Sequence, residues 1–435
     1  MIQRFTRLCH WPLLVLLAVA GPAGAQQADG AGTLVPDQVT TTRTVSIMSV
    51  TDNIHVALGY DSATMTMIEG PEGLVIIDSL ASEQASAQAM AAFRAISDKP
   101  VAGVILTHGH LAHSGGLAGV IGDGAAPVYG RAATVPTTMV GPGDTYPHDA
   151  DGTPQADNPG SRRPRQPIGE RQALDIAGLH LELVSPRGQG GQQLWLWYPA
   201  KGALFSGDLF YTSFPAIHAL REVVAESRDW IANLDTMLQQ SPRFLITSHG
   251  YPIVGPEQSL EALKHYRDTI ALVVEDSLAG IELGLGPDRL VATVTLPPEL
   301  AGQPYLEERV ARLPWAVRAI HADQRGWFDG NPSHLEPLPQ AVEAARIAEL
   351  AGGPEVLLES GLLALDNGDY PWAAQLEDYL LALDPESAPA RHMKADALVG
   401  LAEGTPVIPA REFYLRAARQ LRQGQEQRQE RERAE

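Results

Sequence analysis

The sequence predicts an α/β fold, a sandwich with the layers α, β, β and α, followed by an all-α domain. Up to residue 255, short apolar segments typical of strands alternate with helical segments. Several of these strands end in a histidine or an aspartate, which predicts a polar site along one edge of the sandwich. From residue 256 onward the pattern indicates amphipathic helices.

Residues 1–25 have the pattern of a secretory signal peptide. Arg4 and Arg7 precede an apolar core at 11–20, and a small-residue cleavage site follows at 23–25. The apolar core is too short to span a bilayer, so no membrane insertion is expected. Cys9, the only cysteine, lies in this segment. We therefore expect a periplasmic or secreted protein without disulfides.

The rest of the chain divides into a sandwich domain at 26–255, a helical domain at 256–420 and a polar tail at 421–435. Without Arg4 and Arg7, 30 basic residues oppose 52 acidic ones, which gives a net charge of −22. Such a negative charge argues against nucleic acid and anionic membranes as partners.

Strands begin the sandwich domain. Segments 45–50, 54–58, 65–68 and 74–77 have the composition of short strands and are separated by Asp, Asn and Gly turns. The last of these strands ends in Asp78. An alanine-rich helix is expected at 81–96, before the next strand.

Three histidines follow that next strand. The continuous apolar run at 104–106 is typical of a strand buried on both faces. It leads to His108, His110 and His113, and then to the pair Gly115-Gly116, which opens a helix. Neutral imidazoles on a fixed backbone are the ligands that zinc needs. The sequence therefore predicts a metal site; a histidine-rich polar loop without metal is the alternative.

Two further candidate ligands end later strands. Asp208 follows an apolar run and a glycine at 203–207, and His249 follows the run at 244–248. Each short pattern is common without function when it stands alone. In this order after three histidines, both residues are interpreted as metal ligands.

The segment His108-Gly-His110-Leu-Ala112-His113 resembles the His-x-His-x-Asp-His signature of the metallo-β-lactamase superfamily, with Ala112 in place of the aspartate. The resemblance implies that Asp208 is the bridging carboxylate. It further implies that Asp78 supports the metal ligands without binding the metal itself. It also implies a ligand nineteen residues before the bridging acid. That position is Gln189, whose neutral amide is a poor zinc ligand.

The ligand charges limit how many metal ions can bind. Asp208 is the only anion in the set, whereas two zinc ions carry four positive charges and repel each other at short range. We therefore expect one or two zinc ions, with one firm site at His113, Asp208 and His249. The remaining ligands form a weak second site: His108, His110 and Gln189. The alternative is that no metal binds.

The helical half carries two specific motifs. Composition alone indicates a helical domain with a tetratricopeptide-like pair of hairpins, and generic helical packing is the alternative. The strings Gly326-Trp-Phe-Asp-Gly-Asn-Pro332 and Gly368-Asp-Tyr-Pro-Trp-Ala-Ala374, however, closely resemble the alkyl-sulfatase dimerisation domain. In bacterial alkyl sulfatases this domain follows a metallo-β-lactamase domain. The resemblance implies a homodimer formed through the helical domain, and hydrolysis of a small anionic substrate, a sulfate ester, by metal-activated water.

The same resemblance implies that Arg221, thirteen residues after Asp208, binds the sulfate group. A planar guanidinium suits a tetrahedral oxyanion. An ordinary surface arginine paired with Glu222 or Glu226 is the alternative.

Other departures from the family concentrate in the predicted site. Histidines that the family carries are replaced at Gly250 and within the segment 314–316. One interpretation is a divergent metal-dependent hydrolase, and the other is a dimeric pseudoenzyme or binding protein that keeps the fold without catalysis. A loop at 141–168, rich in Pro and Gly, adds three arginines that either face an anionic substrate or are solvated.

Overall fold

Two sheets form the centre of the first domain. A computed structural model describes residues 44–122, 124, 126–131, 166–185 and 193–434. Within these residues, seven strands form the first sheet in chain order and six form the second. The strands of the first sheet are β1 (Ser46–Ser49), β2 (Ile54–Leu58), β3 (Met65–Glu69), β4 (Leu74–Ile77), β5 (Val101–Ile105), β6 (Val128–Gly130) and β7 (Gln166–Pro167). Those of the second are β8 (Arg171–Ile176), β9 (Leu179–Val184), β10 (Trp195–Tyr198), β11 (Ala203–Phe205), β12 (Phe244–Ile246) and β13 (Ile253–Val254).

Parallel pairing aligns the strand ends that precede the predicted ligands. Pairing is antiparallel from β1 to β4 and parallel from β4 through β7. In the second sheet β11 and β12 form a parallel pair, and the other pairs are antiparallel. Strands β4 and β5 end at Ile77 and Ile105, whereas β11 and β12 end at Phe205 and Ile246. Asp78 follows the end of β4, and the three motif histidines follow the end of β5. Asp208 and His249 follow the ends of β11 and β12.

Helices cover both sheets. The helices of this part of the chain are α1 (Glu83–Arg94), α2 (Leu111–Ser114), α3 (Leu117–Ile121), α4 (Val223–Gln239) and α5 (Pro256–Glu282). Successive residues of one strand belong to different apolar clusters, because side chains alternate between the faces of a sheet. Ile76 packs with α1 and α3, whereas Ile77 lies between the two sheets. Phe205 also lies between the sheets, and Leu204 packs with α4 and α5. These layers confirm the predicted αββα sandwich.

The helical region follows α5. Its helices are α6 (Pro287–Thr293), α7 (Pro298–Ala301), α8 (Leu313–Arg325), α9 (Gln340–Ala351), α10 (Pro354–Asp366), α11 (Tyr370–Leu383), α12 (Ala388–Gly404) and α13 (Ile408–Ala434). Several begin with proline in the first turn, where its missing N–H costs no hydrogen bond. Asp369 caps α11 by accepting the backbone N–H of Trp372 at 3.4 Å. The structure therefore confirms a predominantly helical second half.

One apolar cluster joins the second sheet to this helical region. Trp195 and Leu204 of the sheet belong to the same cluster as Ile270 of α5, Leu290 of α6 and Val317 of α8. All five side chains are fully buried. The cluster therefore crosses the domain boundary that the sequence predicts at residue 255.

Several predicted segments lie outside the described residues. These are the signal peptide at 1–25, residues 141–165 of the loop predicted at 141–168, and Gln189. The described end of that loop is not all irregular, because Gln166–Pro167 forms β7. Within the described ranges, no helix has both the length and the hydropathy needed to cross a bilayer.

Glu377 is a buried carboxyl group in the helical region. Neither of its oxygens has a hydrogen-bond partner among the described residues. It lies beside Gly361 of α10, where an added Cβ would be only 2.3 Å from the Oε1 atom of Glu377. Burial raises the pKa of Glu377 to about 7, against the opposing charge of Lys394, and the neighbouring Asp378 adds to the rise.

Replacing Glu377 with glutamine is expected to raise the free energy of unfolding at pH 8 by about 1–2 kcal/mol. The carboxyl ionises near its ordinary pKa of 4.5 in the unfolded chain and only near 7 in the folded protein. The protein therefore loses stability as the pH rises from about 4.5 to 7, and the loss is complete at pH 8. Glutamine stays neutral and avoids this loss, so little change is expected at pH 5. Urea unfolding at both pH values measures the effect, with the exposed Glu359→Gln as control. Equal effects of E377Q at pH 5 and pH 8 would contradict the prediction.

Candidate metal centre

Five of the predicted ligands meet at the edge of the sandwich. Among the described residues, two groups of three place one ligand atom from each residue within 4.8 Å of one another. The groups are His108, His110 and Asp208, and His113, Asp208 and His249. Asp208 therefore belongs to both groups.

The turn after β5 places the three histidines on one side. His108 and His113 lie with their ring centroids 4.1 Å apart, because the short helix α2 folds back directly after His110. The chain then passes close to the start of α1. A Cβ on Gly116 would lie 1.9 Å from the hydroxyl oxygen of Ser86 and 2.2 Å from the carbonyl oxygen of Ser79. Glycine is required here, since a side chain would push α2 away from the site.

Asp208 and His249 come from the parallel pair β11 and β12. Asp208 lies in the 3-10 turn Gly207–Leu209 directly after β11. His249 follows β12, and the next residue, Gly250, has a φ of 95°. A Cβ on Gly250 would lie 1.7 Å from Oγ1 of Thr212, so this turn needs glycine for both its conformation and its space.

Asp78 orients His113. The carboxylate accepts the backbone N–H of Thr107 at 2.8 Å and the Thr107 hydroxyl at 2.9 Å. It also accepts Nδ1–H of His113 at 2.9 Å. Both Asp78 and His113 are 1% exposed, so the geometry is held in a dry environment. The Nε2 atom of His113 is thereby directed at Asp208.

His249 and His108 are oriented through the same ring atom. Nδ1 of His249 donates to the carbonyl oxygen of Ser62 at 2.9 Å. Nδ1 of His108 lies 3.0 Å from the Thr107 hydroxyl, whose proton is donated to Asp78. That hydroxyl therefore accepts from His108. In both rings Nε2 is the atom that faces the site.

The Nε2 atoms converge on Asp208. One oxygen of Asp208 is 3.1 Å from Nε2 of His108 and 3.6 Å from that of His113. The other oxygen is 3.4 Å from Nε2 of His249. Nε2 of His113 and Nε2 of His249 are themselves 3.2 Å apart. Such a cluster of acceptors needs a positive charge at its centre.

The pKa values of Asp208 and the histidines also indicate that the site favours positive charge. Burial opposes ionisation of Asp208, but the imidazoles of His113, His108 and His249 hold its pKa well below the ordinary value. Burial alone would lower the pKa of His249, yet the charge of Asp208 raises it to about 9. The positive charge of His108, together with burial, lowers the pKa of His110 to about 3. Asp208 is therefore ionised and attracts cations.

The donor set fits a divalent metal ion. Oδ1 of Asp208 is buried and has no hydrogen-bond partner among the described residues. When His249 is neutral, this oxygen and two imidazole nitrogens face one another without a proton between them. Imidazole nitrogen and carboxylate oxygen are a favourable set for zinc. Ala112 packs partly buried against the apolar cluster under α1 and supplies no ligand.

Another predicted site residue, Arg221, belongs to neither group of three. Arg221 is exposed on the segment before α4, and its backbone N–H lies 3.4 Å from a carboxylate oxygen of Glu226. Gln189 lies outside the described residues. Sequence reasoning also missed Thr107 and Ser62. Thr107 directly precedes the first histidine, which is a usable signal, whereas Ser62 acts through a backbone carbonyl that leaves no trace in the sequence.

Comparison with known proteins identifies the class. The metallo-beta-lactamase superfamily matches residues 58–249, and the alkyl sulfatase dimerisation family matches residues 287–424. The first match contains the histidine and aspartate cluster, and the second lies within the helical region. The fold and the site together define a hydrolase of the metallo-β-lactamase fold.

Several similar proteins are alkylsulfatases. A linear primary-alkylsulfatase from Pseudomonas sp. is 31% identical over 388 residues, which are 82% of this chain and 73% of the relative. An (R)-specific secondary-alkylsulfatase from Pseudomonas sp. is 27% identical, over 91% of this chain and 66% of the relative. The solved structure of the stereoselective inverting sec-alkylsulfatase Pisa1 from Pseudomonas sp. matches with a TM-score of 0.72 and 25% identity, over 87% of this chain and 66% of that one. The chain belongs to the alkylsulfatase family.

Proposed function

We propose that this protein hydrolyses alkyl sulfate esters with one zinc ion, held by His113, Asp208 and His249. The observation that carries the proposal is that these three side chains converge. Both imidazoles are oriented by a hydrogen bond from Nδ1, to the Asp78 carboxylate in one case and to the Ser62 carbonyl oxygen in the other. A zinc ion bound there supplies Lewis acidity, which lowers the pKa of water and offsets charge that develops on a sulfate oxygen.

The charges support one firm site. Asp208 is the only carboxylate in either group. A metal ion bound in one group therefore neutralises the negative charge that would attract a second ion to the other group. Ala112 stands where the superfamily carries a further acid. His110 is the least buried of the three motif histidines, and the only hydrogen-bond contact of its side chain among the described residues is Nδ1 at 3.0 Å from Nε2 of His108. The His108 and His110 group is therefore the weaker of the two.

The substrate assignment rests on the relatives and on Arg221. Both curated relatives described above are named for alkyl sulfates. Arg221 lies thirteen residues after Asp208, at the position where the resemblance to alkyl sulfatases implies a sulfate-binding arginine. We assign it to the sulfate group, and we assign no protein side chain as general acid or base. The signal peptide predicted at 1–25 would place the reaction in the periplasm or outside the cell.

The test combines metal content with turnover. The mature full chain is dialysed against micromolar zinc, and zinc per chain is measured by elemental mass spectrometry. Release of inorganic sulfate is then followed with primary and secondary alkyl sulfates of several lengths. We expect about one zinc ion per chain and zinc-dependent release. Bound zinc without sulfate release from any alkyl sulfate would favour the pseudoenzyme. A protein that retains no zinc would contradict the proposed zinc-dependent hydrolysis.

We also propose that the protein is a homodimer through its helical region. The dimerisation family matches residues 287–424, and large apolar side chains are exposed on the helices of this stretch. Leu350 of α9 is 84% exposed, and Leu362 and Leu363 of α10 are 53% and 63% exposed. Large exposed apolar side chains on two consecutive helices are typical of a surface that a second subunit covers.

Replacing Leu362 and Leu363 together with serine is expected to convert the dimer into a monomer. Two exposed leucines at a dimer centre contribute about 1.5–3 kcal/mol each when buried, and serine removes that gain. Light scattering coupled to size-exclusion chromatography measures the mass. Leu283→Ser is the control, since Leu283 is 81% exposed but follows α5. A double variant that stays dimeric would exclude this surface.

A further inference from the structure

The turn between β2 and β3 reaches across to the second sheet. The backbone N–H of Thr64 donates to the carbonyl oxygen of Ser248 at 2.7 Å. The Thr64 hydroxyl donates to the carbonyl oxygen of Thr247 at 2.9 Å. This turn of the first sheet is therefore attached to the segment that carries His249.

Asp61 organises the turn. One carboxylate oxygen accepts the backbone N–H of Ser62 at 2.6 Å and the Ser62 hydroxyl at 3.3 Å. The other oxygen accepts the backbone N–H of Ala81 at 3.0 Å, just before α1. Asp61 thus ties the turn to the start of α1 and holds the backbone on one side of Ser62. The carbonyl group on the other side of Ser62 accepts Nδ1–H of His249 at 2.9 Å.

We propose that Asp61 is a positioning residue for the metal centre: it fixes the Ser62 carbonyl so that His249 keeps its Nε2 atom directed at Asp208. The inference rests on the proposed metal site. In this arrangement an aspartate orients each histidine of the firm site. Asp78 binds His113 directly, and Asp61 acts on His249 through the Ser62 backbone. Partners of this kind commonly set metal affinity, because they orient the ring and maintain its tautomer.

The hydrogen bond to His249 needs such support because it is not sealed from water. The His249 side chain is 31% exposed, whereas His113 is 1% exposed. Without Asp61, the Ser62 carbonyl and the imidazole can each bond to water instead. The ring then has more than one orientation, and a metal ion must select the productive one.

The test is the zinc affinity of the full chain, measured by competition with a chromophoric chelator. Asp61→Ala is expected to weaken zinc binding about tenfold. Asp61→Asn should be intermediate, because its amide oxygen still accepts from Ser62 while its NH2 group cannot accept from Ala81. Ser62→Ala keeps the carbonyl group and should stay within about twofold of the wild type. The cobalt(II) absorption spectrum, which reports ligand geometry, should change in D61A and not in S62A.

Asn53→Ala is the control for a merely structural effect. Asn53 holds a neighbouring turn of the same sheet, where its amide donates to the carbonyl oxygen of Glu69 at 3.1 Å. N53A should lower the unfolding midpoint but leave zinc affinity and the cobalt spectrum unchanged. Wild-type zinc affinity in D61A, or an equal loss in N53A, overturns the inference alone. A wild-type protein that binds no zinc overturns both the inference and the proposed function.

Discussion

Replacing Asp208 with asparagine is expected to remove zinc from the protein and to abolish sulfate ester hydrolysis. Asp208 is the only residue common to both candidate groups and the only anion in either. Asparagine has nearly the same shape, so the change removes the charge and leaves the volume. Even partners outside the ligand shell cost about 10–100-fold in metal affinity, and loss of the only anionic ligand should cost more than about 100-fold.

Elemental mass spectrometry after dialysis measures the retained zinc of D208N. Asp175→Asn is a matched control, because Asp175 also accepts from a histidine, His180 at 2.7 Å, but lies exposed on β8 away from the site. D175N should retain zinc like the wild type. Full retention of zinc by D208N would show that the ion lies elsewhere.

Replacing Ala112 with aspartate is expected to tighten zinc binding by at least about tenfold, or about 1.4 kcal/mol. Ala112 directly precedes His113 and occupies the position at which the superfamily carries a ligating acid. A second carboxylate would bring the charge of the firm site from −1 to −2 and add an anionic ligand. The gain should exceed the cost of displacing a partly buried methyl group from the apolar cluster below α1.

Chelator competition compares A112D with the wild type at one pH and one salt concentration. Ala118→Asp is the matched control, because it adds the same charge on α3 at a partly exposed position. A118D should bind zinc within about twofold of the wild type, since exposed charges are screened by solvent and salt. If A112D and A118D bind zinc equally, the added acid does not reach the ion.

The strands and the motif histidines were predictable because their signals are local. Segments 54–58 and 74–77 are strands as predicted, since apolar residues buried on both faces form continuous runs between turn residues. The same local signal predicted that His108, His110 and His113 follow the end of a buried strand. The absence of an acid at Ala112 was visible from the sequence as well.

The finer structure of the site was not predictable, because it depends on contacts between distant segments. Asp208 belongs to two groups at once, and this follows from how β11 lies opposite the turn after β5. The support of His249 by the Ser62 carbonyl joins residues that are 187 positions apart. A backbone carbonyl carries no residue-specific signal, so no pattern of side chains marks it. The roles of Arg221 and Gln189 stay predictions.

The apolar cluster that joins the second sheet to α5, α6 and α8 limits how freely this protein can be divided. A fragment ending at residue 255 would leave Trp195, Leu204 and Leu245 without the helices that bury them. Such a fragment should aggregate rather than fold, and the intact chain should lose the second sheet and helices α5 to α8 in one cooperative thermal transition. The two family matches therefore describe units of sequence, whereas the folding unit extends across the boundary between them.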